Sequence, residues 1–223
     1  CFEDVYIETP DDGAFQGRVW GPLVLRELPA ILLWTLGPEA LTSCEYDCAE
    51  RVDLTIINGS WDLQHYKRGL TSYREAVYSA LQASLPLVDL SWEQLVPLRY
   101  AMSRLFDPPY TKDLEQLRKV SIHSADPWAI HLLKGWIQDR TKGRVIQVDS
   151  QLDPDYPACT GAIECTFSDG TTSGLAIHNP KSAELRYRDG KLLQISLPDS
   201  SMGTILERIV DAPVVDPLYK RAI

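Results

Sequence analysis

The sequence predicts an α/β protein: a parallel α/β layer, followed by an α+β part with an antiparallel β-meander. Three patterns predict it. In the first part of the chain, continuous apolar runs alternate with helix-like stretches, the grammar of parallel strands joined by crossover helices. In the middle, residues 89–109 carry one amphipathic helical face that ends at a proline pair. Towards the end, Asp169-Gly170 and Asp189-Gly190 separate paired strand-like runs, and Asp-Gly is a strong hairpin signal. We therefore expect an α/β region over residues 1–86, the remainder of a larger N-terminal domain, and an α+β C-terminal domain over residues 87–223.

Residues 2–8 read as a strand and residues 10–13 as a turn, since Pro, Asp and Gly there supply turn chemistry. Residues 20–29 suggest a short helix stopped by Pro29, and residues 38–51 a poorly patterned helix. Residues 30–34, 53–58 and 85–90 are apolar enough for strands covered on both sides. Residues 71–83 form a clearer helix, with Thr71 as cap and Tyr73, Val77 and Leu81 as its apolar edge.

Ser91 then reads as an N-cap, with Gln94 at capping-box spacing. Trp92, Leu95, Leu98, Met102, Leu105 and Phe106 recur every three to four residues, as on one face of a helix. Pro97 interrupts this face. Either residues 91–96 are a separate turn and the main helix starts near Pro97, or one helix is kinked there.

Residues 119–123 read as a short strand. Asp126-Pro127 opens a helix, with Asp as N-cap and Pro in the first position. Ala129, Ile130, Leu133, Trp136 and Ile137 form its inner face. Gly135 costs up to about 1 kcal/mol in helix propensity, which is explained if a neighbouring element approaches closely there. Residues 144–152, 161–168, 172–178, 183–188 and 191–197 read as the strands of the meander. Residues 202–210 read as a closing helix, and residues 211–223 as a proline-punctuated tail.

Composition narrows the function classes. The chain has 223 residues, 44% of them hydrophobic and 24% charged, with a formal net charge of −9. That balance argues against general nucleic-acid binding, which needs a basic face to neutralise phosphate. No apolar run reaches the roughly 18 residues of a membrane span, so no membrane partner is expected. The chain begins at Cys1, which reads as a processed product or a fragment. A mature lipoprotein also begins with cysteine, but residues 2–7 enter a strand-like run at once where a polar tether is usual. The five cysteines, Cys1, Cys44, Cys48, Cys159 and Cys165, form an odd count without a secretory pattern. That favours reduced thiols and a cytoplasmic location. Cys44 and Cys48 are four apart but have no second pair or histidines at zinc spacing.

Catalytic chemistry finds no specific support. There is no glycine-rich phosphate loop and no nucleophile elbow. His65, His123, His131 and His178 are scattered, and no cofactor or metal is expected. Two features point to a binding surface. One is the set of six tryptophans, a residue type enriched at interface hot spots. Trp61 and Trp128 are the candidates for contact, while Trp92 and Trp136 lie on inward faces and read as core. The other is Arg99, beside the apolar face of the central helix. An arginine there either pairs with a carboxylate or recognises an anion or partner.

Several segments, in order, resemble the glucose-6-phosphate dehydrogenase assembly proteins. The core block is Asp89-Leu-Ser-Trp92, then Leu95, Pro97, Arg99 and Phe106-Asp107. Cys1-Phe-Glu-Asp-Val, Leu23-Val-Leu-Arg-Glu-Leu-Pro29 with Leu33-Trp34, and Arg51-Val-Asp-Leu-Thr-Ile-Ile-Asn58 precede it. Leu132-Leu-Lys-Gly-Trp136 and Asp216-Pro-Leu-Tyr219 follow. Leu98 stands where the family often has Trp, and Glu27 where Asp is usual. The resemblance implies a protein that is not an enzyme, but binds glucose-6-phosphate dehydrogenase and promotes its active oligomer in the oxidative pentose phosphate pathway. The alternative from the residues is a small α/β enzyme acting on a phosphorylated or carboxylated metabolite. Its site would lie at the carboxyl ends of the parallel strands, near Trp34, Asn58 and Asp89.

Overall fold

The computed structural model describes residues 29–34, 52–67, 69–141, 144, 146–156, 160–212 and 214–223. The expected strand at 2–8, the turn at 10–13, the helices at 20–29 and 38–51, and Cys1, Cys44, Cys48 and Cys159 lie outside the described residues. The rest is mixed α/β and falls into two compact units. One takes in the described residues up to Asp89, with residues 214–215. The other comprises Leu90–Ala212 and Asp216–Ile223.

In the first unit, strands β1 (Ile31–Leu33), β2 (Leu54–Ile57) and β3 (Leu87–Asp89) form a three-stranded parallel sheet in the order β1-β2-β3. Ile31 pairs with Leu54 and Thr55 with Leu87. Every residue of β2 and β3 is buried, as the unbroken apolar runs require of a covered parallel sheet. Between these strands lie α1 (Gly59–Tyr66) and α2 (Leu70–Gln82). Asn58 caps α1 by accepting the Trp61 backbone N–H at 3.2 Å, and the sequence reading had no helix there. α2 buries Tyr73, Val77, Ala80 and Leu81. Its N-cap is Gly69, without a side-chain cap bond, so Thr71 lies inside the first turn and does not cap it.

The second unit opens with α3 (Leu90–Gln94) and α4 (Val96–Arg104). Of the two readings of Pro97, the structure has the separate turn: Leu95 is the N-cap of α4, and Pro97 sits in its first turn, where no intrahelical N–H is needed. Helix α3 begins at Leu90, so Ser91 is a first-turn residue and not the cap. A short α5 (Asp113–Gln116) leads into β4 (Leu117–Ser124).

Then comes α6 (Pro127–Arg140), opened as expected by Asp126, whose Oδ1 accepts the N–H groups of Trp128 and Ala129 at 2.9 and 3.2 Å. The strands β5 (Gln147–Leu152), β6 (Gly161–Phe167), β7 (Thr172–Asn179), β8 (Ser182–Arg186) and β9 (Leu192–Ser196) complete a six-stranded sheet. Its order is β5-β4-β6-β7-β8-β9.

One strand departs from the expected meander. β5 pairs parallel with β4, Lys119 opposite Gln147, because α6 carries the chain back to the starting end of the sheet. β4-α6-β5 is thus a crossover unit, and only β6 to β9 form the antiparallel meander. Its hairpins turn at Gly170 (φ +82°) and Gly190 (φ +84°), backbone conformations that favour glycine. Leu185 and Tyr187 are buried while Glu184 and Arg186 are exposed, the alternation read from the sequence.

Helix α7 (Met202–Asp211) buries Ile205 and Ile209. The tail contains a further helix, α8 (Pro217–Ala222), capped by Asp216 and packed against α6.

Candidate functional site

The turn at Pro97 sets two side chains of the second unit against each other. Trp92 on α3 is buried, and Arg99 on α4 lies across it, its guanidinium carbon 3.7 Å from the indole centroid. Arg99 Nη2 also donates to the Trp92 carbonyl at 3.2 Å. Asp216 joins the pair from the start of α8. Its Oδ2 accepts the Trp92 Nε1–H at 2.8 Å and lies 3.5 Å from Arg99 Nη1. Its Oδ1 accepts the Leu218 N–H at 2.8 Å, capping α8. Tyr219 packs its ring on Trp92 with centroids 5.8 Å apart.

The electrostatics of this cluster are incompletely balanced. The Arg99 side chain is 11% exposed, and its Nε, also buried, has no acceptor among the described residues. Burial pulls its pKa below the usual arginine value, against the opposing charges of Asp216 and Glu93. It remains charged, since a guanidinium does not deprotonate in proteins. Burial likewise pushes Glu93 up, although Arg208 of α7 pairs with it at 2.5 Å.

Beside the cluster lies a groove of about 580 Å³. Tyr100, Met102 and Phe106 wall one side, Trp136 and Ile137 of α6 the other, with Leu218 of α8 between. Among the described residues, Arg99 and Arg140 are its charged residues, and no carboxylate lines it. Arg140 is exposed and makes no ion pair among the described residues. Tyr100 is 41% exposed at the rim. A second cavity, of about 330 Å³, lies on the open sheet face. There Arg186 pairs with Glu164 at 3.1 Å, and His123 Nδ1 lies 3.9 Å from Asp153.

The residues singled out for contact fare differently. Arg99 lines the groove but spends most of its side chain on Trp92 and Asp216. Trp128 is fully buried and stacks on His131 at 5.3 Å, so it packs the core and presents no face for contact. Trp61, in the first unit, is 41% exposed and stacks on His65 at 4.4 Å. Trp92 and Trp136 are buried, as expected.

Asn58 and Asp89 stand at the strand ends, as anticipated, but both serve α1. Asp89 Oδ1 accepts the Gly59 N–H at 3.1 Å. Nearby Asp62 is buried, and its Oδ2 accepts the Tyr73 hydroxyl proton at 2.9 Å while Oδ1 has no hydrogen-bond partner among the described residues. Burial pushes its pKa up to about 6, with the charge of Asp89 adding to the rise.

Sequence reasoning missed Asp216, Arg140 and Tyr100. A signal for Asp216 was present: Asp216-Pro217 repeats the Asp126-Pro127 helix start. Among the described residues, no helix is long and apolar enough to cross a membrane. Nor does any group of three or more His, Cys, Asp or Glu among them have the placement to hold a metal ion.

Comparison with curated proteins finds no match. Among solved structures, a "putative oxidoreductase" from Klebsiella pneumoniae is similar at 6% identity and a TM-score of 0.42, covering 86% of this chain and 72% of that one. The WlbA dehydrogenase from Chromobacterium violaceum is similar at 11% identity and a TM-score of 0.30, covering 81% of this chain and 62% of that one. Neither likeness is strong enough to bear on chemistry. A family model does match over residues 85–223: the C-terminal domain of the glucose-6-phosphate dehydrogenase subunit. That stretch holds Trp92, Arg99, Asp216 and every residue of the groove. It is more than half of the chain, which therefore belongs to the family defined by the C-terminal domain of the glucose-6-phosphate dehydrogenase subunit.

Proposed function

We propose that this protein binds glucose-6-phosphate dehydrogenase in the cytoplasm and promotes its active oligomer, without catalysing a reaction itself. The family match across residues 85–223 carries this reading, because the family is described as a subunit of that enzyme. The groove supports it. Tyr100, Met102, Phe106, Trp136 and two arginines line it, and these residue types are enriched where proteins meet.

The physical mechanism is a population shift. A partner that binds the active assembly of the dehydrogenase more tightly than the inactive one raises the active fraction by that difference in affinity. A partner of equal affinity for both would shift nothing.

The test is to titrate the dehydrogenase with this protein while following turnover by NADPH absorbance and oligomer size by sedimentation velocity. A saturable rise in activity with a larger dehydrogenase species is expected. An unchanged sedimentation profile at several-fold excess of this protein would overturn the proposal. Turnover by this protein alone would overturn its non-catalytic part.

A further inference from the structure

We infer that the groove between α4, α6 and α8 seats a short segment of the dehydrogenase in which an apolar side chain is flanked by a carboxylate. This deepens the proposed function and rests on it. Three observations lead to this occupant.

The first is shape and lining. The groove is concave, mostly apolar, and open along one side, with Tyr100 exposed at its rim. A fully enclosed pocket would suit a free metabolite. An open trough with an aromatic rim suits a side chain projecting from a larger surface, with the rest of that surface closing over it.

The second is charge. The chain carries 31 acidic against 22 basic residues, yet among the described residues the groove is lined by two arginines and no carboxylate. Arg140 stands exposed without an ion-pair partner among the described residues. Arg99 contributes a buried charge whose only ion-pair partner among them, Asp216, is shared with the Trp92 indole. The groove is therefore a positive, apolar recess in an acidic molecule. A carboxylate entering it gains a bidentate-capable partner at Arg140, and electrostatic complementarity of this kind favours a cognate partner over others.

The third is rigidity. The groove walls are held before any partner arrives. Asp216 ties the start of α8 to α3 and α4, and the close approach of Ala222 to Gly135 ties its end to α6. A preformed trough loses little conformational entropy on binding.

Two variants test this on the whole protein. Ser103→Trp fills the groove from an exposed position on α4 that lines it. Arg140→Glu reverses charge at an exposed position and leaves the core intact. Arg186→Glu, on the open sheet face, is the control. Affinity for the dehydrogenase is measured by biolayer interferometry, with thermal melts confirming fold.

Ser103→Trp and Arg140→Glu are each expected to weaken binding by about tenfold or more, the range of hot-spot residues, with the control near wild type. If both variants fold and bind as the wild type does, the groove assignment falls while the dehydrogenase reading stands. Loss in Arg140→Glu alone, with folded Ser103→Trp unaffected, also overturns a seated segment. If Ser103→Trp does not fold, Arg140→Glu decides. A wild type that binds no dehydrogenase sinks both readings. Self-association that Ser103→Trp abolishes would give the groove to a second copy, and octanoate binding there that the dehydrogenase does not displace would give it to a small carboxylate. Either would overturn the inference.

Discussion

Gly135 meets Ala222 backbone to backbone: a methyl group added at Gly135 would lie 1.9 Å from the Ala222 carbonyl oxygen. Helix α8 is therefore seated on α6 at the one position of that helix without a side chain, and α8 contributes Leu218 to the groove lining.

Gly135→Ala follows directly. Helix propensity alone favours alanine by about 1 kcal/mol, but the new methyl group cannot fit unless α8 shifts, and overpacking of this kind costs about 1–3 kcal/mol. Because the clash is with backbone, the upper end of that cost applies, and we expect a net loss of about 2 kcal/mol in urea unfolding, with earlier proteolysis within residues 214–223. An unfolding midpoint at or above that of the wild type would show that α8 moves freely.

Asp216 holds the other end of α8. Asp216→Ala removes an N-cap, worth about 1 kcal/mol. It also strips the Trp92 indole of its acceptor and leaves Arg99 buried without its carboxylate, so a total loss of about 3 kcal/mol is expected. Arg99→Met should cost less, because an apolar stem can still cover Trp92. In a double-mutant cycle the two changes should couple by about 1 kcal/mol or more. Additive losses would mean that Arg99 and Asp216 act independently.

Asp62 predicts a dependence on pH. Its carboxyl is pushed from the ordinary 3.8 to about 6 by burial, so the folded protein holds a proton that the unfolded chain has already released. The stability this group contributes is full below pH 3.8 and falls as pH rises to about 6. Above that both states are ionised, and the loss levels off at no more than about 3 kcal/mol. Asp62→Asn can still accept the Tyr73 hydroxyl proton but does not titrate. Its stability should therefore fall less steeply between pH 4 and 6 than that of the wild type. Parallel stability curves for the two proteins would refute the buried, protonated carboxyl.

Much of this architecture was legible because it rests on local chemistry. Asp126-Pro127 starts a helix, Asp169-Gly170 and Asp189-Gly190 turn hairpins, and Gly135 marks a close approach, each for reasons confined to a few residues. The direction of β5 was not legible in the same way. A strand's alternation is the same whether it pairs parallel or antiparallel, and direction is set by the connection. The signal was the long helix between β4 and β5, which makes a crossover possible. Caps misplaced at Ser91 and Thr71 reflect helices that begin two residues sooner than caps there would allow, a boundary that local propensity resolves poorly. The groove was least legible of all. It needs α4, α6 and α8 brought together from residues more than a hundred apart, and no periodicity records that.

Cys165 supplies the last prediction. It lies on β6, opposite Val120 and Ser173, and is fully buried. Burial pushes its thiol up to about 12, with the charge of Glu164 adding to the rise. Thiolate is the nucleophile in alkylation, and at neutral pH this thiol is neither ionised nor accessible. In the native protein Cys165 should resist iodoacetamide, and its labelling, followed by peptide mapping, should track unfolding of the central sheet. Substitution separates packing from polarity. Cys165→Ala removes a small buried group and should cost about 1 kcal/mol. Cys165→Ser is nearly isosteric but buries a hydroxyl and should cost more, about 1–3 kcal/mol. Rapid labelling of the native protein at Cys165, or a serine variant as stable as the wild type, would mean that this strand is open to water.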